Sequence, residues 1–313
     1  MSYRLYSRYL VEVLKAALTG QGLELHKGIE PEMLIKIAAA HGVENVLYTV
    51  FSDAAVSDEV KQHMKKLQNI CISRLLMQQY EQAALFDKLE ATGIEHMAMK
   101  GSVIRKEYPE EYMRQSCDID AYVSVEDKNS INGIMTGMGY EIIDCTSPLH
   151  YEYRKKTIIN VEIHHTLMTD RHRWYGICMD IEKNLCPVSG KKYEMQMSDE
   201  DFYIYMIAHI AKHIVNQAGA GIRPICDIWV FLQNHGKKLD REYIDKQLKK
   251  GGLMILEKKL RKLSEIWFGN AEDTDGTETE LEQFVLCSGM TGTEDLRNSY
   301  DKVKMSGWKY RRM

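Results

Sequence analysis

The sequence predicts an α+β protein in which a mixed β-sheet core is flanked by N- and C-terminal helical regions. Residues 1–93 repeat apolar side chains at helical spacing, whereas short apolar runs separated by turns dominate the next seventy or so residues, and the helical period returns at Ser198. This order of elements is typical of α+β folds. We therefore expect an N-terminal helical region at 1–93, an α/β core at 94–197 and a C-terminal helical region at 198–313.

Three helices are predicted in the N-terminal region. The first covers residues 3–18, where apolar side chains recur every three or four positions. The second begins at Pro31, a residue favoured at the first helical position, and stops before Gly42. The third follows the capping residue Ser57 and runs to Gly93, which gives a helix of about ten turns.

The middle region reads as alternating short strands and helices. The predicted elements are a strand at Ile94–Lys100, a helix at Ser102–Tyr108, a strand at Asp118–Val125, a helix at Asp127–Met138, and strands at Tyr140–Asp144, His150–Lys155 and Thr157–His165. The last two strands suit a hairpin, and the whole order suits a mixed sheet with helices on one side. Residues 168–198 show no regular period.

The C-terminal region is predicted to be helical. A helix starts at Ser198, and further helices are expected at about 222–235, 239–250, 252–267, 278–287 and 293–304. The acidic stretch at 270–278 is expected to be a flexible loop.

Composition and charge exclude several classes of protein. With 313 residues, 44% hydrophobic content and a net charge of −4, the chain has neither a basic field for nucleic acid nor the apolar run of about 18 residues that a membrane span needs. The N-terminus reads as an amphipathic helix and not as a signal peptide. The seven cysteines form no CxxC pair, which favours reduced thiols and a cytoplasmic location.

One turn and one strand carry the strongest chemical signal. The first predicted strand ends at Lys100-Gly101-Ser102, and Asp118 and Asp120 open the next strand. Because side chains alternate along a strand, the two aspartates point to the same face. Two adjacent carboxylates repel each other unless a positive group lies between them, and a divalent metal that holds the phosphates of a nucleotide would supply it. Gly101 permits close approach of the backbone to phosphate, and Ser102 can add a hydrogen bond.

A third carboxylate lies in the later strand. Glu162 stands among apolar residues, where a carboxylate is costly unless it is paired or bound to a metal. His164 shares its face, and three roles stay open for it: orienting Glu162, meeting an acceptor, or an ordinary structural histidine.

In this order the elements resemble the polymerase-β-like nucleotidyltransferase superfamily, and most closely its uncharacterised nucleotidyltransferase family. The resemblance spans roughly residues 30–235 and is carried by Lys100-Gly101, Arg114, Asp118, Asp120, Glu162-Ile163-His164, and a later helical set of His209, His213, Arg223 and Asp227. It implies transfer of a nucleoside monophosphate from a nucleoside triphosphate such as ATP to a hydroxyl, with release of pyrophosphate.

The resemblance also implies a set of site residues. Asp118, Asp120 and Glu162 would be catalytic and would hold Mg²⁺ or Mn²⁺, with Glu162 also polarising or deprotonating the attacking hydroxyl. The nucleotide would be contacted by Lys100, Gly101, Ser102, Arg114, His164, His209 and His213. Because no dense basic stripe is present, a small-molecule or protein acceptor is favoured over nucleic acid.

Other interpretations stay open at this level. The protein could be a catalytically silent nucleotide-binding regulatory or toxin–antitoxin type protein, although the intact carboxylates argue against that. A histidine-metal phosphohydrolase using His164, His165, His209 and His213 ranks last, because the chain lacks a His-Asp doublet. His209 and His213 have the spacing of a metal pair, but no glutamate follows His209 as a zincin site needs, so we expect them to line the nucleotide cleft or to pack between helices instead.

Overall fold

The chain divides into two compact units. The computed structural model describes residues 3–124, 128–156, 159–217, 219–269, 271 and 277–289. A helical unit comprises Met1–Asn69 and Met206–Met313, and a sheet unit comprises Ile70–Tyr205. The domain boundaries that the sequence suggests, after residues 93 and 197, stay a prediction.

Helices account for most of the described residues. They are α1 (Tyr3–Thr19), α2 (Pro31–His41), α3 (Leu47–Phe51), α4 (Asp58–Thr92), α5 (Gly101–Ile104), α6 (Lys128–Gly137), α7 (Tyr175–Lys183), α8 (Asp199–Gln217), α9 (Arg223–His235), α10 (Arg241–Lys250), α11 (Met254–Phe268) and α12 (Thr277–Ser288). None of these described helices is both long enough and apolar enough to cross a bilayer.

Local signals in the sequence set the ends of several helices. Pro31 begins α2, and Gly42 ends it in the left-handed conformation (φ 66°), where its N–H donates to the carbonyls of Ala38 and Ala39. Asp240 caps α10 by accepting a hydrogen bond from the amide of Tyr243. Both ends of α2 agree with the sequence prediction.

The buried residue His41 makes the helical unit sensitive to acid. His41 is fully buried, and its Nδ1 lies 3.3 Å from the amide nitrogen of Ile222, which donates to it. Burial, only partly opposed by a hydrogen bond to the backbone of Leu286, lowers the pKa of His41 to about 4 from its ordinary value of 6.5. The unfolded chain therefore binds this proton more tightly than the folded chain does.

We expect the stabilising effect of neutral His41 to be complete above pH 6.5 and to be lost as the pH falls toward 4. The free energy of unfolding should fall over this range by up to about 3 kcal/mol because of this group. Urea denaturation at several pH values measures it, with His41→Gln as the comparison because glutamine stays neutral throughout. Identical pH dependence in the two proteins would contradict the assignment.

The sheet unit contains a mixed seven-stranded sheet. Its strands are β1 (His96–Ala98), β2 (Asp118–Val123), β3 (Glu141–Asp144), β4 (His150–Lys155), β5 (Ile159–His164), β6 (Cys186–Pro187) and β7 (Glu194–Gln196). The strand order is β3-β4-β5-β2-β1-β7-β6. Strands β2 and β5 run parallel at the centre, and each has an antiparallel neighbour, β1 and β4 respectively. The α+β class with a nucleotidyltransferase-like mixed sheet is confirmed.

The two faces of the sheet differ in chemistry. Ile119, Ala121, Val161 and Ile163 point to one face and join an apolar core with side chains of α4 and α6. Residues between them point to the opposite face, which we call the acidic face because it carries the carboxylates of β2, β4 and β5. Strand alternation thus presents polar groups on one face while the other anchors the sheet.

Several elements differ from the sequence predictions. Helix α7 and strands β6 and β7 lie in the segment 168–198 for which no regular structure was predicted. The first strand is shorter than Ile94–Lys100, and the helix predicted at Ser102–Tyr108 is the single turn α5 followed by a 3₁₀ turn at Arg105–Glu107. The short elements offer too few residues for a period to show. The predicted helix at 293–304 lies outside the described residues, as do residues 270 and 272–276 of the predicted loop, whereas residues 277–278 of that loop belong to α12.

Candidate active site

Strand register brings the predicted carboxylates together on the acidic face. Asp120 of β2 lies directly opposite Glu162 of β5, and Asp118 lies two positions earlier on the same face. Glu162 is in turn opposite Glu152 of β4. Three neighbouring strands therefore carry a row of carboxylates.

The side chain of Lys100 reaches into this row. Its ammonium nitrogen lies 2.5 Å from Asp120 Oδ1 and 3.9 Å from Glu162 Oε2. The lysine follows β1, the antiparallel neighbour of β2, so the sheet itself delivers the cation to the carboxylates. The Lys100 ammonium therefore neutralises part of the negative charge of the acidic face.

The charges of the site are strongly perturbed. Burial opposes ionisation of Asp120, but the Lys100 ammonium and His164 outweigh it and hold the pKa of Asp120 well below its usual range. Burial also opposes the charge of Lys100, and Asp120 outweighs it, so the pKa of Lys100 is raised. Burial, followed by repulsion from Asp120 and Glu162, raises the pKa of Asp118 to about 6. Asp118 is thus the carboxylate whose charge the metal-free fold tolerates least.

The backbone at Lys100 is strained. Its φ of 44° and ψ of −115° lie in a region that glycine adopts readily and lysine does not. The residue occupies the second position of a tight turn in which the amide of Ser102 donates to the carbonyl of Met99 over 3.1 Å. Strain of this kind is found at functional sites, where the surrounding structure enforces it.

We expect Lys100→Gly to be more stable than Lys100→Ala by about 1 kcal/mol. Both variants lose the ammonium, so the difference isolates the strain of a side chain at positive φ, about 1–3 kcal/mol, less the greater entropy of unfolded glycine. Thermal or urea denaturation measures the difference. The same pair of substitutions at Lys106, which lacks a positive φ, is the control and should favour alanine; the same preference at both positions would rule out strain at Lys100.

Two buried polar residues hold this turn and the start of β2. The Arg105 guanidinium donates to the carbonyl of Gly101 over 3.0 Å and to Ser102 Oγ over 3.3 Å. Gln78 of α4 donates to the carbonyls of Ser116 and Asp118 and accepts from Arg105 over 3.4 Å. Arg105 therefore supports the turn, and Gln78 ties the turn to the strand that carries the aspartates.

Sequence reasoning missed Gln78, although a signal was present. The apolar stripe of α4 passes through Cys71 and Leu75 and resumes at Phe86, and Gln78 stands in the same stripe. A polar residue on the buried side of a helix needs a hydrogen-bond partner. The break in the stripe therefore marks Gln78 as a positioning residue.

The predicted phosphate contacts lie around the turn. A Cβ built on Gly101 would lie 3.0 Å from Ser116 Oγ and 3.7 Å from Arg114 Nη1, so glycine permits a close approach here and Arg114 flanks it. The amide and hydroxyl of Ser102 are both engaged within the turn. A phosphate-binding role for Gly101, Ser102 and Arg114 stays a prediction.

His164 sits at the centre of the acidic face. Its Nε2 lies 2.9 Å from Asp120 Oδ1, 3.2 Å from Glu162 Oε2 and 3.2 Å from Lys100 Nζ. One nitrogen can donate to a carboxylate or accept from the ammonium, but it cannot do both at once. The structure places His164 beside Glu162, and its role there stays a prediction.

The later histidines belong to the helical unit. His209 and His213 lie one turn apart on α8, with their Nε2 atoms 3.2 Å from each other. Asp227 is buried on α9, the helix that Arg223 begins. Roles for His209 and His213 at the nucleotide site stay a prediction.

Comparison with known families agrees with this geometry. A family model described as an uncharacterised nucleotidyltransferase matches residues 27–269 of the chain. The chain belongs to this family of nucleotidyltransferases. No curated protein and no solved structure matches it.

Membership assigns a general nucleotidyltransferase activity to the chain. The matched range includes the Lys100 turn, both aspartates of β2 and the Glu162 strand. The predicted family is therefore confirmed.

Proposed function

We propose that this nucleotidyltransferase moves a nucleoside monophosphate from a nucleoside triphosphate to a hydroxyl acceptor and releases pyrophosphate. The observation that carries the proposal is the pairing of Asp120 with Glu162 across two parallel strands, with the Lys100 ammonium between their carboxylates. Asp118 stands on the same face. Three carboxylates on one face suit the binding of the divalent metal that accompanies a triphosphate, and the Lys100 ammonium adds a positive charge beside them.

The chemistry of these side chains suits a divalent metal, although the carboxylate oxygens of Asp118, Asp120 and Glu162 do not form a group within 4.8 Å of one another among the described residues, so a metal would have to draw them together. Carboxylate oxygens are the ligands that Mg²⁺ takes, and Asp118, Asp120 and Glu162 would hold Mg²⁺ or Mn²⁺. Burial, followed by repulsion from Asp120 and Glu162, raises the pKa of Asp118, and a bound cation would favour its charged form. When bound, the metal would neutralise charge on the triphosphate and on the leaving pyrophosphate.

Glu162 is proposed to accept the proton of the acceptor hydroxyl. Burial favours the neutral form of Glu162. The hydrogen bond with His164, helped by nearby positive charge, outweighs burial and lowers the pKa of Glu162 below its ordinary value, so this carboxylate is ionised at neutral pH. The hydroxyl oxygen then forms a bond to the α-phosphorus, and the bond from that phosphorus to the bridging oxygen breaks. Pyrophosphate leaves with that oxygen, and the proton stays on Glu162.

The remaining residues are proposed to position the donor. Lys100 and Arg114 would offset the charge of the triphosphate, and Gly101 would let it approach the backbone. Ser102 would add a hydrogen bond, and His164 would orient Glu162. His209 and His213 are proposed contacts from the helical unit.

The acceptor is proposed to be a small molecule or a protein side chain. A long nucleic acid needs several phosphate contacts, whereas the net charge of the chain is −4. The core of the reaction is generic, so selectivity would come from residues outside the row of carboxylates.

The proposal is tested by incubating the protein with each α-labelled nucleoside triphosphate, with Mg²⁺, with Mn²⁺ and with chelator. We expect metal-dependent release of pyrophosphate and transfer of label to the protein or to a pool of small hydroxyl compounds, and less to tRNA. Asp87→Asn is the matched control, because Asp87 is an exposed carboxylate of α4.

Two results would contradict the proposal. Binding of the triphosphate without any pyrophosphate release under all conditions would favour the silent nucleotide-binding protein. Transfer that is equally fast in chelator would rule out a metal site on Asp118, Asp120 and Glu162. Preferential labelling of tRNA would overturn the acceptor class alone.

A further inference from the structure

A second group of metal ligands lies on the β4 side of the acidic face. His150, Glu162 and His164 each offer one ligand atom, and these atoms all lie within 4.8 Å of one another. We propose that these three residues bind a second divalent cation of the borderline class, such as Mn²⁺, Co²⁺ or Zn²⁺. Two imidazoles with one carboxylate suit these metals better than Mg²⁺, which prefers oxygen ligands.

The strands aim both histidines at the same point. His150 of β4 is directly opposite His164 of β5, so their side chains share the acidic face. Their ring centroids are 5.0 Å apart and the rings are inclined at 55°, so they are not stacked flat against each other. Glu162 Oε2 lies 3.8 Å from His150 Nδ1 and 3.2 Å from His164 Nε2. The carboxylate therefore stands beside both imidazoles.

His150 is already oriented as a metal ligand would be. Its Nε2 lies 3.2 Å from Glu152 Oε1, which can accept a hydrogen bond from it. This bond leaves the lone pair of Nδ1 available, and Nδ1 is buried without a hydrogen-bond partner in the described part of the chain. Metal-binding histidines usually donate their second nitrogen to a carboxylate in this way.

Charge on the acidic face favours another cation. Asp118, Asp120, Glu152 and Glu162 are the carboxylates of the face. The ammonium of Lys100 lies close to Asp120, 3.2 Å from His164 Nε2 and 3.9 Å from Glu162, on the side away from β4. A metal on His164 therefore requires Nε2 to give up its hydrogen bond with Asp120 and to bind through its lone pair, while Asp120 keeps Lys100 as its partner. A dication next to His150 would offset the charge that Lys100 leaves uncompensated. It would share Glu162 with the metal site proposed above, as paired metal sites commonly share a carboxylate.

The test is titration of the metal-free protein with Co²⁺ alone, without nucleotide, followed by visible absorption and calorimetry. We expect one Co²⁺ per chain with the d–d absorption of nitrogen and oxygen ligation, distinct from any Co²⁺ that Asp118 and Asp120 hold with oxygen ligands alone. His150→Gln and His164→Gln should abolish it. Glu152→Gln removes the carboxylate that orients His150 but none of the three ligands, and it should weaken Co²⁺ binding about 10–100-fold.

Matched controls separate this site from other ligands. His165→Gln removes the next imidazole along the chain, which packs against Tyr151. His213→Gln removes one imidazole of the pair on α8. Both controls should keep the Co²⁺ spectrum, and circular dichroism of each variant should match the wild type.

Several outcomes would overturn the inference. One is a nitrogen-ligated Co²⁺ spectrum that survives both His150→Gln and Glu152→Gln. Another is a spectrum dominated by thiolate charge transfer, or one lost in His213→Gln. Because no nucleotide is present, these results leave the proposed nucleotidyl transfer standing, and a failure of that transfer leaves Co²⁺ binding measurable.

Discussion

Asp118→Asn and Asp120→Asn are expected to abolish nucleotidyl transfer alike while moving the free energy of unfolding in opposite directions. The turnover rate of each variant should fall at least about 10²–10³-fold, because each substitution removes a charge that helps to stabilise the reacting phosphates. In chelator at pH 7, however, Asp118→Asn should be more stable than the wild type and Asp120→Asn less stable.

The opposite effects follow from the surroundings of each carboxylate. Burial and repulsion raise the pKa of Asp118 to about 6 from 3.8, so its charge costs the metal-free fold up to about 3 kcal/mol. Asp120 is 5% exposed and is paired with Lys100 and His164. Its neutralisation leaves a largely buried ammonium without that partner, for which a loss of about 3 kcal/mol is typical.

Urea denaturation and single-turnover transfer assays measure the two effects separately. Asp87→Asn, at an exposed position, should change neither. If Asp118→Asn destabilises the protein as much as Asp120→Asn does, the electrostatic account of the row is wrong, whatever happens to transfer.

The central strands, and the face on which their carboxylates lie, could be predicted from the sequence. Strand alternation alone places Asp118 and Asp120 on one face and the apolar residues of β2 on the other, as the structure has them. The pairing of Asp120 with Glu162 could not be predicted from local sequence pattern, because the parallel register of β2 and β5 depends on contacts between strands about forty residues apart. Resemblance to a family supplied the grouping that periodicity could not.

Other parts of the site depend on tertiary contacts that no local pattern records. Strand β7 has three residues and pairs with β1 nearly a hundred residues earlier. The Nδ1 atom of His150 points at Glu162 only because β4 and β5 are in this register. The position of His150 in a predicted hairpin does not by itself indicate that Glu162 is its neighbour. The strain at Lys100 likewise arises from the turn that Arg105 and Gln78 support.

The second large effect is expected for Glu162→Gln. Single-turnover transfer at saturating nucleoside triphosphate should fall about 10²–10⁴-fold, because glutamine cannot accept the proton of the acceptor hydroxyl. The affinity for the nucleotide, measured by calorimetry in Mg²⁺, should change less than it does in Asp120→Asn. Glu141→Gln, at an exposed position on the edge strand β3, is the control and should transfer at the wild-type rate.

The geometry explains why binding and turnover should separate at Glu162. Lys100 is paired mainly with Asp120, 2.5 Å away, and lies 3.9 Å from Glu162, so the main ion pair survives the substitution. The side chain of Glu162 is 25% exposed against 7% for Asp120, which leaves Glu162 the more accessible to an incoming hydroxyl. Wild-type turnover in Glu162→Gln would mean that another carboxylate takes the proton. Glu152, which lies opposite Glu162 on the adjacent strand β4, would then be the residue to substitute, because it is the next carboxylate of the same row.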